Sequence, residues 1–237
     1  MRKLMVILAA AAVILGLYGG VRWLDRRWHP GRYGIEETEK GPMDPLILVS
    51  AEHPYTLKKP SDLVNIGDVG PNLLLSRADM QGCREAVKAL AEMNDAMMAD
   101  GLEPMRVTSA YRSVSYQEGL FQNKIQRVMA AGTTDPEEAE ALAAREVARP
   151  GTSEHHTGLA FDLTGPDGRL ESFEQTPVAG WMAAHAYEFG FIKRYPGEKA
   201  PLTGIIDEPW HFRYVGTEAA KAIFEQGICL EEYVQEQ

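Results

Sequence analysis

Hydrophobic and polar positions divide the chain into an apolar leader and a longer, mixed remainder. Leu4 to Val21, "LMVILAAAAVILGLYGGV", is a run of 18 residues without a charged side chain. As a helix rising about 1.5 Å per residue it would reach about 27 Å, close to the thickness of a bilayer core. Further on, "REAVKALAEMNDAMMADG", from Arg84, has apolar residues at helical spacing and Gly101 as its stop. "MRVTSAYRS" alternates as far as Ser113 and predicts a strand entering a loop, and a helix is expected from Ser115 to Ala131. "DPEEAEALAAREVA" offers Asp135 as N-cap, Pro136 at the first helical position and Glu137 and Glu138 in the first turn. Thr176, Pro177 and Gly190 repeat that grammar, and Thr217 and Gly227 cap and stop a C-terminal helix. "LILVSAEHPY", Leu46 to Tyr55, reads as a first strand and turn, with later strands at "GLAFDL" and around "WHFRYV".

Helical and strand-like segments alternate irregularly, without long βαβ repetition. That pattern predicts an α+β domain with a small, mainly antiparallel sheet flanked by helices. Residues 1–24 are assigned to an N-terminal membrane anchor or signal, 25–45 to a charged, Gly- and Pro-containing juxtamembrane linker, and 46–237 to one domain with a sizeable core. Arg2 and Lys3 precede the apolar run as in a secretory n-region. A signal-peptidase cut after Gly20 would place Tyr18 where a small residue is wanted, which favours an uncleaved single-pass anchor in the cell membrane over a cleaved, secreted form. Arg22, Arg26 and Arg27 run against a simple positive-inside count, but the domain is expected outside the cytoplasm.

The formal net charge is −10. Before Pro30 stand Arg2, Lys3, Arg22, Arg26 and Arg27 against Asp25 alone, so the rest is more acidic than the whole. Such a surface repels phosphate backbones and excludes nucleic acid as a partner. Neither Cys83 nor Cys229 has a CxxC partner, which excludes a multi-thiolate zinc site and leaves their pairing open.

Candidate chemistry is concentrated in two segments. In "GTSEHHTGLAFDLTG", a strand over "GLAFDL" puts Leu159, Phe161 and Leu163 on one face and Gly158, Ala160 and Asp162 on the other. The second face combines two small residues with a carboxylate that would be costly to bury unpaired. A turn at Thr157-Gly158 would swing His155 over Asp162, and a cation between them would explain the buried acid. In "DEPWHFRYVG", Trp210, Phe212 and Tyr214 alternate with His211, Arg213 and Val215, while Pro209 puts Glu208 at a bend beside His211. His155, Asp162 and His211 thus form a candidate ligand set, with Glu208 left over. A catalytic zinc takes three protein ligands and keeps one position open, and an unligated carboxylate can then act as base. HExxH is absent, so this is not the helical zincin arrangement. Spacing alone does not separate His155 from His156 as ligand; His156 is read as a supporting or exposed residue. His29, His53 and His185 lack an acidic or histidine partner in register and read as surface or packing residues.

These residues carry a resemblance. "SEHHTGLAFD" resembles the SxHxxGxAxD motif of the VanY/VanX-type zinc D-alanyl-D-alanine carboxypeptidases, matching at Ser153, His155, Gly158, Ala160 and Asp162. "EPWH" is similar to that family's ExxH motif, and "SAYRS" with Gln117 to its upstream S-x-YRS…Q segment. The resemblance implies one zinc ion on His155, Asp162 and His211, with Glu208 as general base and later proton donor. It implies that Arg112 stabilises the oxyanion or holds the substrate's terminal carboxylate, and that Ser153 binds the peptide backbone. Tyr111 and Gln117 follow as pocket residues, while Trp210 either shapes the pocket or packs. The expected activity is D,D-carboxypeptidase action on peptidoglycan stem peptides, releasing the terminal D-alanine. L,D-carboxypeptidase action on tetrapeptide stems and a non-catalytic zinc-stabilised wall-binding module are the alternatives.

Overall fold

The computed structural model describes residues 37–38, 41–55 and 58–236. The run Leu4–Val21, most of the expected linker and His29 lie outside them. Among the described residues, no helix is long and apolar enough to cross a membrane.

Among the described residues there are nine short strands. β1 (Glu37–Thr38) pairs in parallel with β2 (Lys58–Lys59), and β3 (Leu63–Asn65) pairs antiparallel with β5 (Gln81–Cys83). The main sheet comprises β4 (Leu74–Leu75), β6 (Arg106–Ser109), β7 (Ala160–Thr164), β8 (Phe191–Lys193) and β9 (His211–Tyr214). Their spatial order is β4-β6-β7-β9-β8, and only the β4–β6 pair is parallel. The α+β expectation with a mainly antiparallel sheet therefore holds.

The period of two along β7 determines what each face meets. Phe161 and Leu163 enter the core with Phe212 and with Val87, Leu90, Met93 and Met97 of the helix Arg84–Ala99. Phe161 and Phe191 meet edge to face at 6.1 Å. The approach of β5 is so close that a Cβ on Gly82 would lie 2.8 Å from the Phe161 ring. On the other face, register sets Asp162 opposite both Ser109 and His211, and Ala160 opposite Arg213.

The helices follow their local signals closely. Asp135 accepts from the Glu137 backbone N–H ahead of helix Pro136–Ala143, and the Thr176 hydroxyl accepts from Ala179 N ahead of Pro177–His185. Ser113 caps Val114–Ala130 through Tyr116 N. Two local expectations fail. The helix Thr217–Gln226, next to last in the chain, is preceded by Gly216 at φ 82°, so Thr217 is its first residue and not its cap; Gly227 stops it as expected. Residues Leu46–Tyr55 form turns and bends instead of a strand. The backbone closes local turns instead: Ile47 N donates to Asp44 O at 3.2 Å and Ser50 N to His53 O at 3.0 Å, while Arg213 Nη2 donates to the carbonyls of Pro45 and Ile47 at 3.0 and 2.8 Å. Cys83 and Cys229 are separate buried thiols, and burial pushes both upward from the usual thiol range. His185 does have an acidic neighbour, Glu188, at 3.0 Å, although both are well exposed.

Candidate active site

The sheet face that carries Asp162 is where the two candidate segments meet. Asp162 and His211 are cross-strand partners on β7 and β9, and His211 Nδ1 lies 3.1 Å from Asp162 Oδ1. His155 comes from a 3₁₀ turn, Glu154–Thr157, that ends on Gly158 in the left-handed region at φ 70°. A Cβ there would lie 2.8 Å from Leu63 Cδ2, so glycine answers both the backbone sign and the close packing. The turn brings His155 Nε2 to 3.3 Å from Asp162 Oδ1. The ligand-capable atoms of His155, Asp162 and His211 all lie within 4.8 Å of one another, and all three residues are buried.

Hydrogen bonding resolves the neighbouring histidines. His155 Nδ1 faces the Ala110 carbonyl at 2.8 Å; a carbonyl only accepts, so the proton sits on Nδ1 and the Nε2 lone pair faces the cluster. His156 is buried with both nitrogens engaged. Its Nδ1 donates to Arg112 O at 2.8 Å, and its Nε2 accepts from Gly151 N at 3.1 Å. It supports the loop and has no nitrogen left for a ligand.

The cluster fits a divalent cation. Burial, joined by the nearby Arg112 charge, holds His155 down at about 4, so at neutral pH its Nε2 is a lone pair aimed at a carboxylate oxygen. Burial works against the charge on Asp162, but His155 and Arg112 hold its carboxyl well below the usual range. Two electron-rich atoms 3.3 Å apart need a positive charge between them, and imidazole, carboxylate and imidazole are ligands that zinc accepts. Burial also opposes charge on His211; the Asp162 and Glu154 carboxylates facing its two ring nitrogens outweigh it and lift His211 to about 9.

Glu208 stands at the bend before β9, its backbone tied to Tyr195 O and to His211 N. Its Oε2 is 3.7 Å from His211 Nδ1. Burial raises the carboxyl to about 7, with His211 acting the other way and the Asp162 charge adding to the rise. Arg112 is held on three sides: Nη2 donates to Asp162 Oδ2 at 2.6 Å, Nε to Ser109 Oγ at 2.8 Å and Nη1 to Gln117 Oε1 at 3.3 Å. Gln117 is buried and donates in turn to Ala148 O, so it braces Arg112 and does not line the cleft. Arg112, Ser153, Tyr195, Glu208 and Trp210 line a cleft of about 260 Å³ over the triad, with Asn123, Lys124, Arg127 and Glu146 also in its wall. Trp210 both lines this cleft and packs on the core. Tyr111 is not among the lining residues; its backbone N–H bonds to Gln81 O.

A second buried cluster lies beneath the triad, and its pairing was not apparent from the sequence. Glu154 Oε1 accepts from Arg194 Nε and Arg213 Nη1, both at 2.8 Å, and Arg194 is clamped by both oxygens of Glu231 at 2.9 and 2.6 Å. The only local sign of it was an arginine, Arg213, at a buried strand position opposite the small residue Ala160.

Known proteins share this layout. A profile of the VanY family, described as D-alanyl-D-alanine carboxypeptidase, matches residues 80–217. A D-alanyl-D-alanine carboxypeptidase of Enterococcus faecalis is 45% identical over 145 residues, covering 61% of this chain and 52% of that protein, so the match spans about half the length of that relative. Among solved structures, a VanY D,D-pentapeptidase from a VanB-type resistance cassette in complex with Zn(II) is 38% identical at a TM-score of 0.68, covering 80% of this chain and 98% of that one. VanYB in complex with D-alanine-D-alanine is 37% identical at 0.70, covering 81% and 97%. The LdcB LD-carboxypeptidase is 36% identical at 0.70, covering 84% and 90%. The matched segment holds the three candidate ligands, the glutamate beside them and the braced arginine, and on that agreement of sequence, fold and site the chain belongs to the VanY D-alanyl-D-alanine carboxypeptidase family.

Proposed function

We propose that this chain is a zinc-dependent D,D-carboxypeptidase that removes the C-terminal D-alanine from peptidoglycan stem peptides. The observation that carries the reading is Glu208, a largely buried carboxylate beside the triad, outside the ligand set and lifted to about 7. A group with that affinity can take up a proton at neutral pH and return it. His155 Nε2, Asp162 Oδ1 and His211 Nδ1 would hold the zinc. When bound, the ion supplies Lewis acidity that polarises the scissile carbonyl and lowers the pKa of water. Glu208 takes the proton lost as water adds to the penultimate carbonyl, then delivers it to the departing amine of D-alanine. Three N–H groups of Arg112 are already engaged within the protein. A guanidinium has five, so two remain for the developing oxyanion or the terminal carboxylate. Ser153, at the cleft wall, binds the peptide backbone, and Gln117 keeps Arg112 aimed.

The relatives' named activities and the VanYB complex with D-alanine-D-alanine support the D,D reading. The equally similar LdcB LD-carboxypeptidase favours one rival, the same hydrolysis at an L,D bond. A non-catalytic wall-binding module would leave Glu208 without a task. The domain is placed outside the cytoplasm, held by residues 1–24; the uncharged run Leu4–Val21 and the location of a wall substrate support this, and cell fractionation with protease accessibility tests it. For the activity, the protein is incubated with defined pentapeptide and tetrapeptide muropeptides, with and without a chelator, and products are read by mass spectrometry. The D,D reading expects chelator-sensitive loss of one alanine from pentapeptide. Cleavage of tetrapeptide alone would move the assignment to the L,D bond, and release from neither would leave a binding module.

A further inference from the structure

Glu154 lies between the Ser153 and His155 motif positions at the cleft floor, and its buried carboxylate reaches His211. It is 1% exposed and His211 4%. Glu154 Oε2 and His211 Nε2 are 3.5 Å apart, and neither has another hydrogen-bond partner among the described residues. The separation exceeds the usual 2.7–3.2 Å for N–H···O, but two buried polar atoms that face each other as lone pair and N–H are each other's natural complement. The opposite nitrogen of the ring, Nδ1, is the one beside Asp162 Oδ1.

We propose that Glu154 is a positioning residue for the metal site: its Oε2 holds the proton of His211 on Nε2, which leaves the Nδ1 lone pair for the metal. The inference rests on His211 being a zinc ligand and not on which peptide is cut. Ligating imidazoles are commonly fixed in tautomer and direction by an acceptor at the other nitrogen, and losing it costs about 10–100-fold in metal affinity. Glu154 is itself held in place. Arg194 and Arg213 both donate to its Oε1 at 2.8 Å and keep its carboxyl far below the ordinary range despite burial. Only Oε2 is left to face the histidine. Glu231, from the C-terminal helix Leu230–Gln235, closes the far side of Arg194, so a chain of contacts joins that helix to a metal ligand.

This arrangement makes an isosteric change informative. In E154Q the two arginines still demand an acceptor, so the amide oxygen stays with them and the amide N–H₂ turns to His211. It then donates to Nε2, which moves the ring proton to Nδ1 and blocks the metal-binding nitrogen. The experiment measures zinc affinity by chelator competition, and thermal unfolding of the metal-free protein, for the wild type, E154Q and E231Q. The expected result is about 10–100-fold weaker zinc binding in E154Q. E231Q, which removes a charge from the same network without touching His211, should unfold at lower temperature and keep zinc affinity within about twofold. Equal zinc affinity in E154Q and wild type, or equal losses in E154Q and E231Q, would overturn the inference. Should E154Q not fold, ¹⁵N-histidine NMR of the zinc-loaded wild type decides: a slowly exchanging His211 Nε2–H is expected, and an Nδ1–H with zinc on Nε2 overturns it. A wild type that binds no zinc would instead remove the ligand triad itself.

Discussion

Two clusters of buried charge sit back to back in this fold, and they are built on opposite rules. In the lower one, Arg194, Arg213, Glu154 and Glu231 pair with one another and with backbone carbonyls, and their side chains are almost wholly shielded from solvent. In the upper one, the ligand-capable atoms of His155, Asp162 and His211 converge within 4.8 Å of one another, and Glu208 waits at the rim. The lower cluster uses its hydrogen bonds internally, Glu154 Oε2 excepted; the upper one withholds more. A closed network holds strands and termini in register, whereas an open one holds chemistry. His211 belongs to both, with one ring nitrogen facing each.

The contrast can be broken most forcefully from the open side. E208Q keeps shape and removes the proton acceptor; we expect turnover to fall by about 10³–10⁴-fold while bound zinc, measured by metal analysis, stays near one per chain. Full activity in E208Q would show that the proton is handled elsewhere. On the closed side, R213M leaves Glu154 short of one cation and frees the Pro45 and Ile47 carbonyls. Breaking a buried pair by removing one partner costs about 3–5 kcal/mol, to be read as a lower urea midpoint. A loss below about 1 kcal/mol would mean that the network is not a support. G158A tests the turn between the clusters: a left-handed backbone at φ 70° and a Cβ 2.8 Å from Leu63 predict a loss of about 1–3 kcal/mol, again by denaturant midpoint. The smallest effect is expected where a carboxylate is open to solvent. Glu232 accepts from Lys199 at 2.7 Å and from Cys229 N at 2.8 Å, and these hold it near 2. A depressed carboxyl stabilises the fold above its unfolded pKa of about 4.3 and loses that contribution as pH falls toward 2. E232Q should therefore unfold at a slightly lower temperature than wild type at pH 6, with the gap closing by pH 2.

Much of the open cluster was legible in the sequence because its signals are local. The alternation in "GLAFDL" and "WHFRYV" puts Asp162 and His211 on the faces opposite Phe161 and Phe212, and antiparallel pairing then sets them side by side. Gly158 marks the turn that carries His155, and Pro209 marks the bend that carries Glu208. The closed cluster was not legible, since its partners are separated by tens of residues and a buried arginine leaves no periodic trace. The apolar run "LILV" misled for the opposite reason: turns closed by Asp44 and His53 take up backbone N–H groups in and beside it, and Arg213 reaches in from far along the chain to the Pro45 and Ile47 carbonyls. The expected roles of Gln117 and Tyr111 shifted for a related reason, because a motif places residues near a site without saying which brace it and which face the cleft. His156 shows the converse, where two hydrogen bonds resolve what spacing left open.

In the proposed site three side chains grip one ion and a fourth stays off it. A crystal structure of the zinc-loaded protein, with the metal located by anomalous scattering at the zinc edge, tests this directly. A single strong peak is expected, coordinated by His155 Nε2, Asp162 Oδ1 and His211 Nδ1, with Glu208 outside the ligand sphere. A peak that includes Glu208 as a ligand, or that lies away from these three residues, would contradict it.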